Sequence, residues 1–170
     1  MWSTPSACRD RGWFTEYTPF QSITENIFLS SPGQDVEGLG TVELRVERSP
    51  DSGDYTVLRL TSVLHTPSLL SNVIGQPIVE RYRIVTGGGG GAEGIYDGEE
   101  RIAYFDPGTT GRLRQPRVCG PPVGPPLGPS TLDGLQHFVV GVRWPEEERE
   151  RWEAFQARPV VKQLPLRLAG

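Results

Sequence analysis

The chain is poor in the residues that build metal sites and covalent frameworks. Its 170 residues include two cysteines, Cys8 and Cys119, and two histidines, His65 and His137. A structural zinc site needs about four close Cys or His ligands, and two distant cysteines make no disulfide framework. No metal site and no cofactor site is therefore expected. A basic excess is also missing: 17 Lys and Arg stand against 21 Asp and Glu, for a formal charge of −4. That balance opposes a general nucleic-acid binder. No apolar run approaches the roughly 20 residues that span a bilayer, so no membrane partner is expected. The start, Met1-Trp2-Ser3-Thr4-Pro5, shows neither the basic region nor the apolar run of a secretory signal. A reduced, intracellular location follows. Nucleotide-binding loops, nucleophile elbows and zinc knuckles are absent as motifs.

Turn formers are what the chain has in plenty. With 21 Gly, 16 Pro and 36% hydrophobic residues, short apolar runs alternate with turn signals. Such spacing predicts an all-β barrel or sandwich of one domain, or one domain with a tail. The richest stretch runs from Val36 to Gly75. Val42, Leu44 and Val46 alternate with Glu43, Arg45 and Glu47; after the turn formers Ser49 to Asp54, Thr56, Leu58, Leu60 and Ser62 alternate with Tyr55, Val57, Arg59 and Thr61. This period of two predicts a long hairpin. Pro67 ends its second strand because it has no N–H to donate. Ser68 to Ile74 read as one or two helical turns capped by Gly75. Further strands are predicted over Ser22–Leu29 and Ile78–Val85, and a second hairpin over 92–105 around Asp97-Gly98. The glycines from Gly87 to Gly91 read as a loop.

The second half is less regular. The stretch from Gly120 to Pro129 is proline-rich and predicts extended packing or linking, with a ligand for a proline-reading module as the alternative. A short strand is predicted over Leu135–Val142, and Val160–Leu168 reads as a last strand or a tail. The one clear helix runs from Trp144 to Ala157, with Pro145 at its first position and glutamates in its first turn. Its narrow apolar face, Trp152 and Phe155, predicts docking on the barrel, or a partner interface. Arg101, Arg112, Arg114 and Arg117 are concentrated in one region, read as solvated strand edges rather than a nucleic-acid patch.

The long hairpin also carries a family pattern. Gly38, Gly40, Thr41, Val42 and Leu44, then Leu60, Val63, Leu64, His65, Pro67, Leu69, Asn72 and Ile74, resemble the protease region of copia-type retrotransposon Pol polyproteins. Cys8-Arg9-Asp10-Arg11-Gly12-Trp13-Phe14, followed by Thr15-Glu16-Tyr17, resembles the segment just after that family's catalytic loop. The resemblance covers residues 6–85, and 92–119 more loosely. It implies an all-β, closed retropepsin-like β-barrel of six or seven strands over residues 1–119. Residues 120–170 then hold the Pro-rich linker, a short strand, the C-terminal α-helix and a tail.

The resemblance stops at the chemistry. Ser6 stands where the family has a histidine, and the catalytic aspartate falls at or before Met1, or on Thr4 or Pro5, depending on the anchor. An aspartic protease needs two carboxylates sharing a proton, and neither alignment supplies one. Asp51-Ser52-Gly53 spells the tripeptide at a polar hairpin turn, where Asp and Gly serve backbone geometry. Ser3, Thr4 and Ser6 have no visible histidine partner, and His65 reads as structural. No catalytic residue is therefore assigned. The expectation is a non-catalytic binding or scaffolding module with a protein or peptide partner, or a homodimer. The alternative is a retropepsin-type aspartic endopeptidase acting as a homodimer, using Asp51 or an acid before the first residue. A nucleic-acid accessory is a third, weaker reading.

Overall fold

The computed structural model describes residues 4–26, 33–50, 52–87, 93–106, 114–120 and 141–158. Eight strands carry most of the structure: β1 (Ala7–Cys8), β2 (Phe14–Asn26), β3 (Gln34–Glu47), β4 (Tyr55–His65), β5 (Arg83–Val85), β6 (Gly94–Asp97), β7 (Glu100–Tyr104) and β8 (Val142–Arg143). Two helices, α1 (Ile78–Arg81) and α2 (Glu146–Gln156), and a 3-10 turn over Arg11–Trp13 complete the described elements. None of these helices is long and apolar enough to cross a membrane.

The hairpin β3–β4 is the spine, paired from Gly38↔His65 to Glu47↔Tyr55. It sits in a five-stranded sheet ordered β1-β4-β3-β2-β8, in which β1 runs parallel to β4. The strands β5, β6 and β7 form a second, antiparallel sheet. The alternation in β3 and β4 buries Val42, Val46, Leu58 and Leu60 on one face. It then changes phase. The register shifts between Gly40 and Val42, and Ser62 adopts φ 54 and is exposed, so Val63 takes the buried position that strict alternation gives to Ser62. A bulge of this kind bends a strand and re-aims the residues beyond it.

Consecutive strand residues face opposite ways, and both faces of this sheet are covered. Cys8, Phe14, Val42, Leu58, Leu60 and Val63 pack toward the second sheet, with Ile95, Ile102 and Ala103. Ala7, Phe20, Val36, Leu39 and Leu64 pack on the other face, with Val142, Trp144 and Trp152. Helix α2 docks there as expected: the Phe20 and Trp152 rings meet edge to face at 5.1 Å, and Phe155 lies 5.4 Å from Phe20. The two sheets are joined by residues 114–120. Glu47 N–H donates to the Arg117 carbonyl at 2.9 Å and Cys119 N–H to that of Arg45 at 2.8 Å; Arg117 N–H donates to the Tyr104 carbonyl at 3.1 Å. Bridges Val46↔Val118 and Phe105↔Pro116 complete the lacing. The result is a nearly closed, barrel-like wall with one helix of several turns at its C-terminal side.

Several expectations need correction. The strand predicted from Ser22 begins earlier, at Phe14, because Pro19 sits at a register shift rather than ending the ladder; Ile27 to Leu29 lie outside the described residues. Ser68 to Gly75 hold turns and a one-residue bridge, Val73 to Ala7, instead of a helix. The helical turn comes at Ile78–Arg81, where the alternation predicts a strand, and only Arg83–Val85 extend as β5. Pro77, with φ −53 and ψ −21, starts that turn, and local hydrogen bonds override the β-branched residues. Pro145 precedes α2 with ψ 148 rather than forming its first turn. The hairpin around Gly98 is as expected, with φ +59 at that glycine. The proline-rich stretch from Pro121, the strand over 135–140, His137, Arg112 and the tail over 160–168 lie outside the described residues, as do most of the glycine run and Asp51.

Candidate functional site

A groove of about 680 Å³ lies between the two sheets. Val42 and Leu44 of β3 and Leu60 and Val63 of β4 form its floor; Ile84 and Ile95 come from the opposite sheet. Ile78 and Val79 of α1 and Phe105, Pro116 and Val118 of the lacing segment form the rim, and Cys8 and Trp13 close one end. Ser71, Asn72, Gln76, Arg114 and Gln115 are the polar members. Among the described residues no carboxylate lines it. Asn72 is engaged, its Oδ1 accepting from the Arg9 N–H at 2.7 Å. Arg114 is paired with Glu93 at 3.1 Å.

Cys8 is the one thiol among the described residues of this groove, and its surroundings disarm it. Burial pushes its thiol up to about 12; the hydrogen bond to the Asp10 backbone opposes this, the Asp10 charge adds a smaller rise, and Arg9 a still smaller lowering. Since the thiolate is the reactive form, this cysteine is inert near neutral pH. The described lining of the groove therefore offers apolar contact and a few hydrogen bonds.

Beside it, Tyr17, His65, Phe14 and Arg11 form a packed cluster. The Tyr17 hydroxyl and His65 Nδ1 are 3.0 Å apart, the Arg11 guanidinium carbon stands 3.8 Å over the Tyr17 ring, and Phe14 meets His65 edge-on at 5.5 Å. Burial holds the His65 ring below its usual value, although Glu37, at 3.7 Å, pulls the other way. The ring is thus neutral at pH 7 and bound to its neighbours, which fits a structural histidine.

The positions assigned to a catalytic acid are sewn into the backbone. The Thr4 carbonyl accepts from Gln76 N–H at 2.8 Å, and Ser6 Oγ accepts from Gly75 N–H at 3.0 Å. Pro5 is buried, and a Cβ on Gly75 would lie 2.2 Å from its carbonyl carbon. Gly75 thus permits close approach rather than capping a helix. Asp51 itself lies outside the described residues. Around it, Ser52 Oγ donates to the Ser49 carbonyl at 3.4 Å and accepts from Asp54 N–H at 3.1 Å, and Gly53 has φ +68. The arginine cluster is mostly accounted for: Arg101 donates to the Arg48 carbonyl at 2.8 Å, Arg114 pairs with Glu93, and Arg117 pairs with Asp106 at 2.9 Å.

Among the described residues, no three His, Cys, Asp or Glu side chains come together to hold a metal. The groove itself is not foreseeable in the sequence, because its rim comes from α1 and from residues 114–118, neither of which shows a pattern that announces it. Only the floor, on β3 and β4, carries a signal. In comparisons with known proteins, no family model matches the chain, and no curated protein or solved structure does either.

Proposed function

We propose that this chain is a non-catalytic binding module, derived from a copia-type retrotransposon protease region and built on its retropepsin-like barrel. Its groove takes an extended polypeptide segment. The observation that carries this reading is the groove's lining: aliphatic side chains from both sheets, a few hydrogen-bonding groups at the rim and, among the described residues, no carboxylate. Pockets of this size and make-up bind by apolar burial, with sparse polar groups fixing orientation. An extended chain suits a site walled by strands, since it projects a side chain inward at every second residue.

The test is selection of peptides displayed on phage against the full chain. Enriched sequences should carry apolar residues at alternate positions. Val79 is exposed at the rim, and Val79→Asp should weaken the selected peptides at least about tenfold, or about 1.4 kcal/mol. Failure to enrich any peptide, or enrichment indifferent to Val79→Asp, would overturn the reading. Acid-stimulated, pepstatin-sensitive cleavage of the same peptides would replace it with the aspartic endopeptidase.

A further inference from the structure

Among the described residues, the second edge of β4 is unpaired over most of its length. On one side β4 pairs with β3 along its length; on the other, β1 reaches only Leu64 and His65. Among the described residues no other backbone group bonds to the run from Tyr55 to Thr61 on that side. Alternate residues of this seven-residue run thus turn their N–H and C=O groups to the open edge, a row that another strand can satisfy as a row.

Natural edges are usually blunted by lysine, proline, a bulge or an outward charge. The run Tyr55-Thr56-Val57-Leu58-Arg59-Leu60-Thr61 has no lysine, proline or glycine, and the bulge comes only after it, at Ser62. Its composition is strongly strand-forming. Its one charge is withdrawn from the edge: Arg59 reaches back across the sheet to Glu43 on β3 at 2.5 Å and Glu16 on β2 at 3.0 Å. Tyr55 and Val57, 51% and 48% exposed, remain beside the open row.

We infer that this edge pairs with the same edge of a second copy, antiparallel about a two-fold axis at Leu58. The run is self-complementary in that register. Tyr55 then faces Thr61 of the copy and Val57 faces Arg59, so all seven positions are used and no like charges are opposed. A register centred on Arg59 would oppose two guanidiniums directly, which disfavours it. An isologous pairing also closes on itself and stops at the dimer. Such pairing is independent of the groove, because it uses the backbone edge and the sheet's outer row rather than the groove's lining.

Light scattering on the full chain after size exclusion, across a concentration series, tests it. The mass should rise to twice 18.8 kDa as concentration increases. Val57→Lys places a lysine opposite Arg59 twice and should raise the dissociation constant at least about tenfold, while Ile23→Lys, at an equally exposed site on β2, should leave it unchanged. Amide hydrogen exchange of the unmodified chain gives a readout that needs no variant: the outward-facing amides of residues 55–61 should slow at concentrations where the mass doubles. A monomer throughout, or a dimer with unchanged exchange in this run, would overturn the inference. So would open-ended association, or protection of the run only when a peptide is added, which would assign the edge to a foreign strand.

Discussion

Ser22→Ala should loosen the seal between α2 and the sheet by a predictable amount. Ser22 is 7% exposed and stands at a junction: its hydroxyl donates to Glu148 Oε2 at 2.7 Å and accepts from Trp144 Nε1–H at 2.9 Å. Alanine removes both bonds. The indole N–H is buried and left without an acceptor, which costs about 1–3 kcal/mol, whereas Glu148 keeps Arg151 and loses less, about 1 kcal/mol. The total is about 2–4 kcal/mol, or a fall of roughly 4–16 °C in Tm for a domain of this size. Chemical denaturation of Ser22→Ala, Trp144→Phe and the double variant forms the assay. Phenylalanine removes the donor, so the double variant should be less destabilised than the sum of the singles by at least about 1 kcal/mol. Strict additivity, or a Ser22→Ala loss under about 0.5 kcal/mol, would refute the junction as described. The acid limb gives a second readout. Burial pushes the Glu148 carboxyl up, but Ser22, Arg151 and the Ile23 backbone together outweigh it and hold the group below its ordinary 4.5. The stabilisation is therefore present above pH 4.5 and fades as pH falls through the folded-state value. Ser22→Ala should flatten that limb.

Gly40→Ala should destabilise the hairpin's neighbour pairing by about 1–3 kcal/mol, because the new methyl would sit 1.9 Å from the Glu16 carbonyl oxygen; urea denaturation measures the loss. Alkylation at pH 8 followed by mass spectrometry should label Cys119, which is partly exposed, and leave the buried Cys8 unlabelled until the chain unfolds. Burial holds the folded-state value of His65 below its usual 6.5, so its contribution is intact above pH 6.5 and declines as pH falls from there to the folded value. Melting of His65→Gln should consequently change less between pH 7 and 5 than that of the unmodified chain.

The parts of the fold legible in the sequence are those with a period or a strong local signal. Val42 to Val46 and Tyr55 to Thr61 give the spine, Asp97-Gly98 gives the second hairpin, and the glutamates after Pro145 give α2. Features set by single residues or by distant chain escape such a reading. Ser62 looks like one more alternating position, yet its positive φ reverses which face the strand's end presents. Ile78 to Val85 alternate as a strand should, but Pro77 and the hydrogen bonds around Gly75 turn the first half into α1. Pro116 to Cys119 have no pattern at all, since their pairing is dictated by β3 and β7 arriving on either side. The groove inherits this: half of it is readable, and the half that makes it concave is not.

The two-sided sheet has a consequence for how the molecule is made. Phe20, Val36, Leu39 and Leu64 leave the ribosome long before Val142, Trp144 and Trp152, the residues that cover them. Until those arrive, a nascent chain with its first sheet already formed would show an oily flank to water or to a chaperone. Synthesis order therefore makes α2 a late shutter over that flank, and halting translation ahead of it should yield a product that sticks rather than one that merely lacks an ornament.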